Sequence, residues 1–287
     1  MKNIKISVSS YSFDKLLKGG EMTQLDCIKK AKEMGFDAIE FAEILPVGKL
    51  SEMEYAKMLS IESAKENFPI SGYCFGADFV NLKGKTLNEE IARVKEKILI
   101  ADALGVKILR HDAASFNGKS FDSVLGQIAD ACREITEFAA EKGIRTTVEN
   151  HGFFCQDSDR MERLYTAVNH PNFGLLCDMG NFLCADEAPE KAFGKLAGLA
   201  SYVHAKDFHI KSAEGFNPGD GFFTSRNGTY LRGAIIGHGN VPVKNCLAAL
   251  KKANYSGYIA VEFEGMEEPI RAISICLDNL KRILDSI

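Results

Sequence analysis

The stretch EKGIRTTVEN, residues 141–150, runs from a helix end through a strand to a polar tip within ten positions. Gly143 closes a segment of helical periodicity. A glycine there fits the left-handed stop that ends many helices. Ile144 to Val148 is rich in β-branched residues and reads as a strand. Glu149, Asn150 and then His151 end the apolar run abruptly. The same helix–glycine–strand junction recurs in ALGVKI (103–108) and NYSGYI (254–259), and at Gly35 before DAIEF. The preceding helix has its own start signal, because Thr23 stands at an N-cap position before the apolar stripe of Leu25, Ile28 and Met34.

Working outward from 141–150, strands are expected at 4–10, 37–41, 70–75, 106–112, 144–150, 173–179, 202–207 and 258–264. Helical periodicity lies between them, near 23–34, 51–66, 88–104, 120–142, 158–169, 188–200 and 241–253, with a last helix near 269–285. Strict strand–helix alternation implies a parallel sheet, since parallel neighbours need crossover connections. Eight such units over 287 residues favour an α/β fold, a single (β/α)8 TIM barrel spanning residues 1–287. An open doubly wound sheet is the competing architecture, but no strand is followed by a G-x-G-x-x-G turn. One connection is unlike the others: HIKSAEGFNPGDGFFTSRNGTYLRGAIIGHGN (209–240) reads as a long structureless loop after strand 7, of the kind used as a lid or binding loop.

Composition excludes several classes. The chain is 46% hydrophobic and 26% charged, with a formal net charge of -4. An acidic balance argues against a general binder of nucleic acid or anionic membrane. No apolar run is long enough to cross a bilayer. The first residues carry lysines without an apolar segment and small-residue cleavage site, so no secretory leader is expected and a cytoplasmic location is. Eight cysteines are scattered among apolar neighbours with no C-x-x-C pair, so neither a zinc–thiolate site nor a disulfide framework is expected.

The later strands end in ionisable residues. The fifth gives Glu149, the sixth Asp178, the seventh His204 and Lys206, the eighth Glu262 and Glu264. In a parallel barrel these ends share one rim, so three carboxylates and an imidazole would converge from four adjacent strands. Without a cation they would repel one another and resist desolvation. A divalent ion removes the conflict, and oxygen donors with one nitrogen suit Mn²⁺, Mg²⁺ or Co²⁺, with Zn²⁺ also accommodated. Glu262 is preferred to Glu264 because it follows the strand directly. His204 is preferred to His209, which lies beyond the strand, and Lys206 shares the face of His204 by the period of two.

The motifs ISVSSYSF, AKEMGFDAIEF, TTVENHG, CDMGN, YVHAKDF, GHGNVPV and GYIAVEFEG, in this order, resemble the xylose isomerase-like TIM-barrel superfamily, the sugar phosphate isomerase/epimerase family. The resemblance runs over nearly the whole chain. It implies one divalent metal, with Mn²⁺ the expected ion, held by Glu149, Asp178, His204 and Glu262. It also implies that Glu149 and Glu262 act as acid and base on opposite faces of the substrate. The implied function is isomerisation or epimerisation of a small keto sugar, sugar phosphate or polyol through a metal-stabilised enediolate. A lyase or dehydratase acting on a keto sugar or an inosose-like substrate is the alternative, as is a sugar-binding barrel without turnover. Asn181 stands where members often have histidine, and Ile210 where the epimerases have arginine. Lys206, Asn181, His151, His238, Arg232 and His111 are therefore the candidate substrate contacts. The nuclease branch fits poorly, with Tyr73, Cys74 and Asn181 at places where further ligands belong. The expected partner is a small carbohydrate, not nucleic acid or a membrane, and a homo-oligomer is compatible with this reading.

Overall fold

Eight parallel strands close into a barrel in the computed structural model, which describes residues 4–115 and 118–287. The strands are β1 (Ile4–Ser9), β2 (Ala38–Ala42), β3 (Ile70–Phe75), β4 (Ile108–His111), β5 (Arg145–Glu149), β6 (Phe173–Asp178), β7 (Ala200–Ala205) and β11 (Gly257–Val261). Neighbours follow chain order, and β11 closes the circle between β7 and β1. Residues 1–3, the start of the segment in which no secretory leader is expected, lie outside the described residues.

The outer layer is built from α2 (Gln24–Glu33), α3 (Glu52–Glu66), α4 (Leu87–Leu104), α5 (Phe121–Ala140), α6 (Ser158–Val168), α7 (Pro189–Leu196), α8 (Val243–Lys252) and α9 (Pro269–Asp285). A short α1 (Asp14–Lys18) follows β1. Local chemistry sets several boundaries. Thr23, Ser51 and Thr86 each form a reciprocal capping box with the acidic residue three positions on. Gly35, Gly105 and Gly143 adopt φ of 86°, 78° and 67°, the left-handed backbone that a glycine stop provides. The helix expected near 188–200 is shorter, ending at Leu196 and continuing as a 3-10 turn from Ala197 to Leu199.

Inside the barrel, Cys74, Leu176, Tyr202 and Ala260 pack together with Ala42, Ile108 and Tyr258 against them. Tyr202 contributes the largest of these side chains. Its hydroxyl lies 2.8 Å from Ser71 Oγ and 3.2 Å from Ser7 Oγ, so the polar end of the ring is partnered. This layer makes a dry floor below the strand ends. All eight cysteines are buried and unpaired. Among the described residues, no helix is long and apolar enough to cross a membrane.

The connection expected to be structureless is instead an antiparallel sheet of β8 (Asp207–Lys211), β9 (Phe223–Thr224) and β10 (Tyr230–Ala234), in the order β8-β10-β9. The signal was present in Asn227-Gly228, the dipeptide favoured by tight hairpins. Gly228 has φ 90°, and the Ser225 amide donates to the Thr229 carbonyl at 2.8 Å. The exit from this sheet is tied to the barrel by one carboxylate. Asp207 accepts from the amides of Phe208 (2.8 Å) and Val241 (2.9 Å) on Oδ1, and of Gly237 (2.9 Å) and Gly239 (3.0 Å) on Oδ2. Gly239 is required there, because a Cβ would lie 2.2 Å from Asp207 Oδ1.

Asp207→Ala should leave these four amides without their acceptor. At about 1–3 kcal/mol for each buried donor stranded, even partial rescue by water predicts a loss of at least ~2 kcal/mol. Urea unfolding measures it. An unchanged midpoint would refute the anchoring role.

Candidate metal and substrate site

Alternation along the strands turns the last inward residue of β5, β6 and β7 to the same rim. Glu262 sits one residue past β11, where its amide still donates to the Ala205 carbonyl at 3.1 Å. The His204 ring is the centre of the group. Its Nδ1 lies 3.6 Å from Glu262 Oε2, 3.7 Å from Glu149 Oε1 and 3.8 Å from Asp178 Oδ2. One donor atom from each of the four residues falls within 4.8 Å of all the others.

Neighbouring groups aim these atoms. On the far side of the imidazole, His204 Nε2 is 2.9 Å from Glu40 Oε2 at the barrel interior. A carboxylate on one ring nitrogen fixes the orientation of the other, an arrangement common behind metal-bound histidines. Asp178 spends Oδ1 on the amides of Gly180 and Asn181, both at 2.7 Å. Its Oδ2 points into the cluster. Asp178 Oδ2 and His204 Nδ1 are both buried without a hydrogen-bond partner. Two aimed, unpartnered donors amid two more carboxylates fit a divalent cation, and hard oxygen donors with one imidazole match the ions named above. A second trio, Glu40, Cys74 and His204, also brings its donor atoms within 4.8 Å. There the Glu40 carboxylate already engages the ring.

Two protein cations hold the remaining charge. Lys206 Nζ lies 2.5 Å from Glu262 Oε2, 3.5 Å from Glu264 Oε2 and 3.6 Å from Asp178 Oδ2. Arg110 Nε approaches Glu149 Oε2 to 2.5 Å, and the same guanidinium reaches Asp112 at 2.8 Å. The Arg110–Glu149 contact is a charge pair, since that Nε makes no hydrogen bond. Asn181 bridges the halves: Nδ2 donates to Glu149 Oε1 at 2.9 Å, and Oδ1 accepts from Lys206 at 3.3 Å. Gly180 makes that position accessible, because a Cβ there would lie 2.8 Å from the Phe208 ring and 3.1 Å from Lys206 Cγ.

These contacts set the proton affinities. Burial works against ionisation of Glu149, but Arg110 and His204 outweigh it and bring the carboxyl down to about 2. Burial likewise opposes the Glu262 anion, and Lys206 and His204 overcome it. Asp178 goes the other way. Burial, with Glu149 and Glu262 adding to it, lifts it to about 7 although Lys206 pulls down. Burial disfavours the His204 imidazolium, yet Glu40 and Glu262 hold the ring protonated in the metal-free protein. A metal at Nδ1 must displace that proton.

The residues anticipated from sequence divide into two sets. Glu149, Asp178, His204 and Glu262 come together, and Lys206, Asn181 and His151 line the space above them. His151 Nδ1 lies 2.9 Å from Asp112 Oδ1, with half of the side chain open to solvent. His111, His238 and Arg232 are not brought to this space. His111 is the outward residue at the end of β4, fully buried beside Phe75 and Phe79 with Nδ1 on the Asp112 carbonyl at 2.7 Å. Burial keeps that ring neutral, bringing its pKa down to about 4. His238 stands exposed in the turn clamped by Asp207. Arg232 lies over the Phe222 ring, with its guanidinium 3.7 Å from Glu267. Arg110 was not anticipated as part of the site, and Glu40 was anticipated only as a hydroxyl contact or a lysine partner. Both lie on the inward face by the period of two, Arg110 in step with Ile108 and Glu40 with Ala42.

A family model for the xylose isomerase-like TIM barrel matches residues 28–283. The chain belongs to this family. It is 24% identical over 140 residues to an inosose dehydratase of Clostridium perfringens, a match covering 48% of this chain and 46% of that protein. The chain thus spans about half the length of the curated relatives it matches. Among solved structures, the IOLI protein with a bound zinc atom superposes with TM-score 0.78 at 16% identity, covering 98% of each chain. An L-ribulose 3-epimerase superposes with TM-score 0.75 at 13% identity, covering 99% of this chain and 95% of that one. At these identities the superpositions establish a shared fold.

Arg110→Met should destabilise the metal-free protein by ~3–5 kcal/mol, the usual cost of leaving one partner of a buried ion pair alone. Added Mn²⁺ restores a cation beside Glu149, so the loss should shrink in its presence. Guanidinium unfolding with and without Mn²⁺ measures both values. Equal losses would count against a cation binding next to Glu149.

Proposed function

We propose that the protein is a divalent-metal-dependent enzyme that removes the proton α to the carbonyl of a small keto sugar, sugar phosphate or keto-polyol, and returns it as an isomerase or epimerase does. One observation carries this reading: the buried, unpartnered Asp178 Oδ2 and His204 Nδ1 face each other across 3.8 Å, flanked by Glu149 and Glu262. Glu149, Asp178, His204 and Glu262 would hold the ion, with Mn²⁺ expected and Mg²⁺, Co²⁺ or Zn²⁺ compatible with the same donors. When bound, the ion polarises the carbonyl and adjacent hydroxyl oxygens and makes the intervening C–H more acidic.

The chain's own groups handle the proton. Glu262 lies at the edge of the roughly 270 Å³ cavity above the cluster and is the base in this reading. The C–H bond breaks towards its carboxylate, and the released electron pair moves towards the carbonyl oxygen. Lys206, 2.5 Å from Glu262, stabilises negative charge developing on the substrate's oxygens. Glu149 is a poorer base than the family resemblance implies. Arg110 sits on one of its oxygens and Asn181 on the other, and Asn181 cannot itself accept a proton at neutral pH. In this reading proton transfer runs on the Glu262 side, because the ion pairs of Glu262 fall on Oε2 alone whereas both oxygens of Glu149 are engaged. One base suffices to move a proton between adjacent carbons, whereas epimerisation also needs a donor on the opposite face.

A second reading has its own support. If a hydroxyl or other oxygen substituent on the β-carbon departs, the same abstraction gives elimination, with the proton on Glu262 and the leaving group taking another from solvent. The similarity to proteins named inosose dehydratase favours this outcome, and a one-sided site serves it equally well.

Metal-loaded protein incubated with keto sugars and inososes in D₂O distinguishes the outcomes by NMR. Deuterium at the carbon beside the carbonyl, without loss of water, marks the isomerase or epimerase; a dehydrated product marks the lyase. Glu262→Gln should lower the rate ~10²–10⁴-fold, the usual range for a general base, while Mn²⁺ still binds. No exchange and no elimination in any substrate, with metal bound, would refute the proposal.

A further inference from the structure

The 270 Å³ cavity over the four-residue cluster adjoins a second cleft of about 600 Å³, and the two share Tyr11, His151, Lys206 and Glu264. The second cleft reaches the excursion sheet, whose Phe208, Phe223 and Thr224 line it. Carboxylates crowd the first cavity, where Glu43, Glu149, Glu262 and Glu264 all contribute to the wall. Among the described residues that line either space, every Lys, Arg and His is already on a carboxylate. Lys206 is shared by Glu262 and Glu264, and Arg110 by Glu149 and Asp112. His151 rests on Asp112 and His204 on Glu40.

Backbone amides are the other means of holding an anion. Barrels that bind phosphate frequently do so with the loops after strands 7 and 8 and a helix N-terminus beside them. Here the chain's own carboxylates take those amides. After β7, the amides of Phe208, Gly237, Gly239 and Val241 converge on Asp207. After β11, the eighth barrel strand, Glu268 caps α9 and accepts from the amides of Ile270 and Arg271, while Pro269 has no amide hydrogen to offer. Lys15, beside that helix start, donates to the Gly265 carbonyl at 2.8 Å. Elsewhere on the rim, Asp178 holds the amides of Gly180 and Asn181, and Glu43 accepts from the Gly76 amide at 3.0 Å.

The same lining suits hydroxyl groups. A carboxylate only accepts hydrogen bonds, so it can receive a hydroxyl hydrogen but has nothing to give a phosphate oxygen. Glu264 stands where the two cavities meet, 3.5 Å from Lys206. Tyr11, 41% exposed, and Thr224 add hydroxyls that can give or take a hydrogen bond. Phe153 and Phe223, 37% and 36% exposed, offer apolar faces to the C–H groups of a sugar chain.

We propose that the substrate is an uncharged polyhydroxy ketone and that the phosphate ester of the same sugar is rejected, with Glu264 receiving the hydroxyls that reach the second cleft. This rests on the proposed function and narrows it, because sugar phosphates drop out of the substrate class. A phosphate group carries about −1.5 to −2 charge at pH 7. At the far end of a bound ketose it would meet Glu264 while the cations and amides of the rim are engaged elsewhere. It would leave water without compensation. A hydroxyl in the same place exchanges a water partner for Glu264 or Thr224.

Calorimetric titration of the Mn²⁺-loaded protein tests this with fructose, tagatose, ribulose and xylulose, each against the ester phosphorylated on its terminal carbon. At least one free ketose should bind about 10-fold tighter than its ester, the direction that like-charge juxtaposition dictates. Glu264→Gln should weaken the free ketose and narrow that ratio at unchanged melting temperature, with Mn²⁺ still bound. Added potassium chloride should narrow it too, by screening the repulsion. The proposal is overturned if in every pair the ester binds as tightly as the free sugar, including the case where neither binds. It is also overturned if Glu264→Gln leaves the ratio unchanged. Deuterium exchange on the same samples keeps the two questions apart. Exchange confined to a phosphate ester would uphold the α-proton chemistry and overturn the uncharged substrate. A preference for the free ketose without exchange in any sugar would sink the chemistry alone.

Discussion

Four carboxylates, Glu40, Glu149, Asp178 and Glu262, crowd around one buried imidazole, and the rest of the site is organised by the need to make that tolerable. Anions removed from water and set against one another should protonate or drive the structure apart. The chain divides the problem. Arg110 neutralises the Glu149 side and Lys206 the Glu262 side, while Glu40 and His204 pair beneath. Asp178 is left with its carboxyl raised and one oxygen without a partner. The protein cations balance most of the charge, and the unpartnered Asp178 Oδ2 and His204 Nδ1 at the centre fit a divalent ion.

The barrel makes such a centre affordable. A parallel barrel delivers one inward residue per strand to a common rim, so four donors can converge there. The Tyr202 layer packs the space below, its ring edge-on to His204. The imidazole is then confined between Glu40 behind and three carboxylates in front. Rigidity here comes from packing and register: Asp178 and His204 are paired across β6 and β7, and His204 with Ala260 across β7 and β11.

Much of this was legible in the sequence, and the misses have physical causes. Glycine stops and alternating periodicities located every barrel strand, and a polar residue ending an apolar run identified Glu149, Asp178, His204 and Glu262. Polar residues inside a strand were harder. Glu40 lies mid-strand in DAIEF, and its partner, the His204 ring, stands 164 positions away in the chain. Arg110 was hidden by its neighbours, because RHD offers three ionisable groups and only one faces inward. His111 and His238 attracted attention for their chemistry, yet one points into the helix layer and the other into solvent. The antiparallel excursion was misread because glycine and asparagine were taken as signs of irregular chain, although Asn227-Gly228 is also a hairpin signal.

The excursion and the metal cluster are one mechanical unit, because consecutive residues of a single segment serve both. His204 and Lys206 project into the site from β7 and its end, while Asp207, pointing the opposite way, receives the four amides that return the excursion to the barrel. Phe208 follows at once and forms cleft wall against Phe223. Moving the sheet would pull on Asp207, and through one peptide bond on Lys206, which sits 2.5 Å from Glu262. A ligand pressing on the aromatic wall would therefore act on the position of the ammonium group beside Glu262. Under the proposed function, binding energy gained far from the reacting carbon would go into aligning Lys206 and Glu262, as differential binding requires of a catalyst.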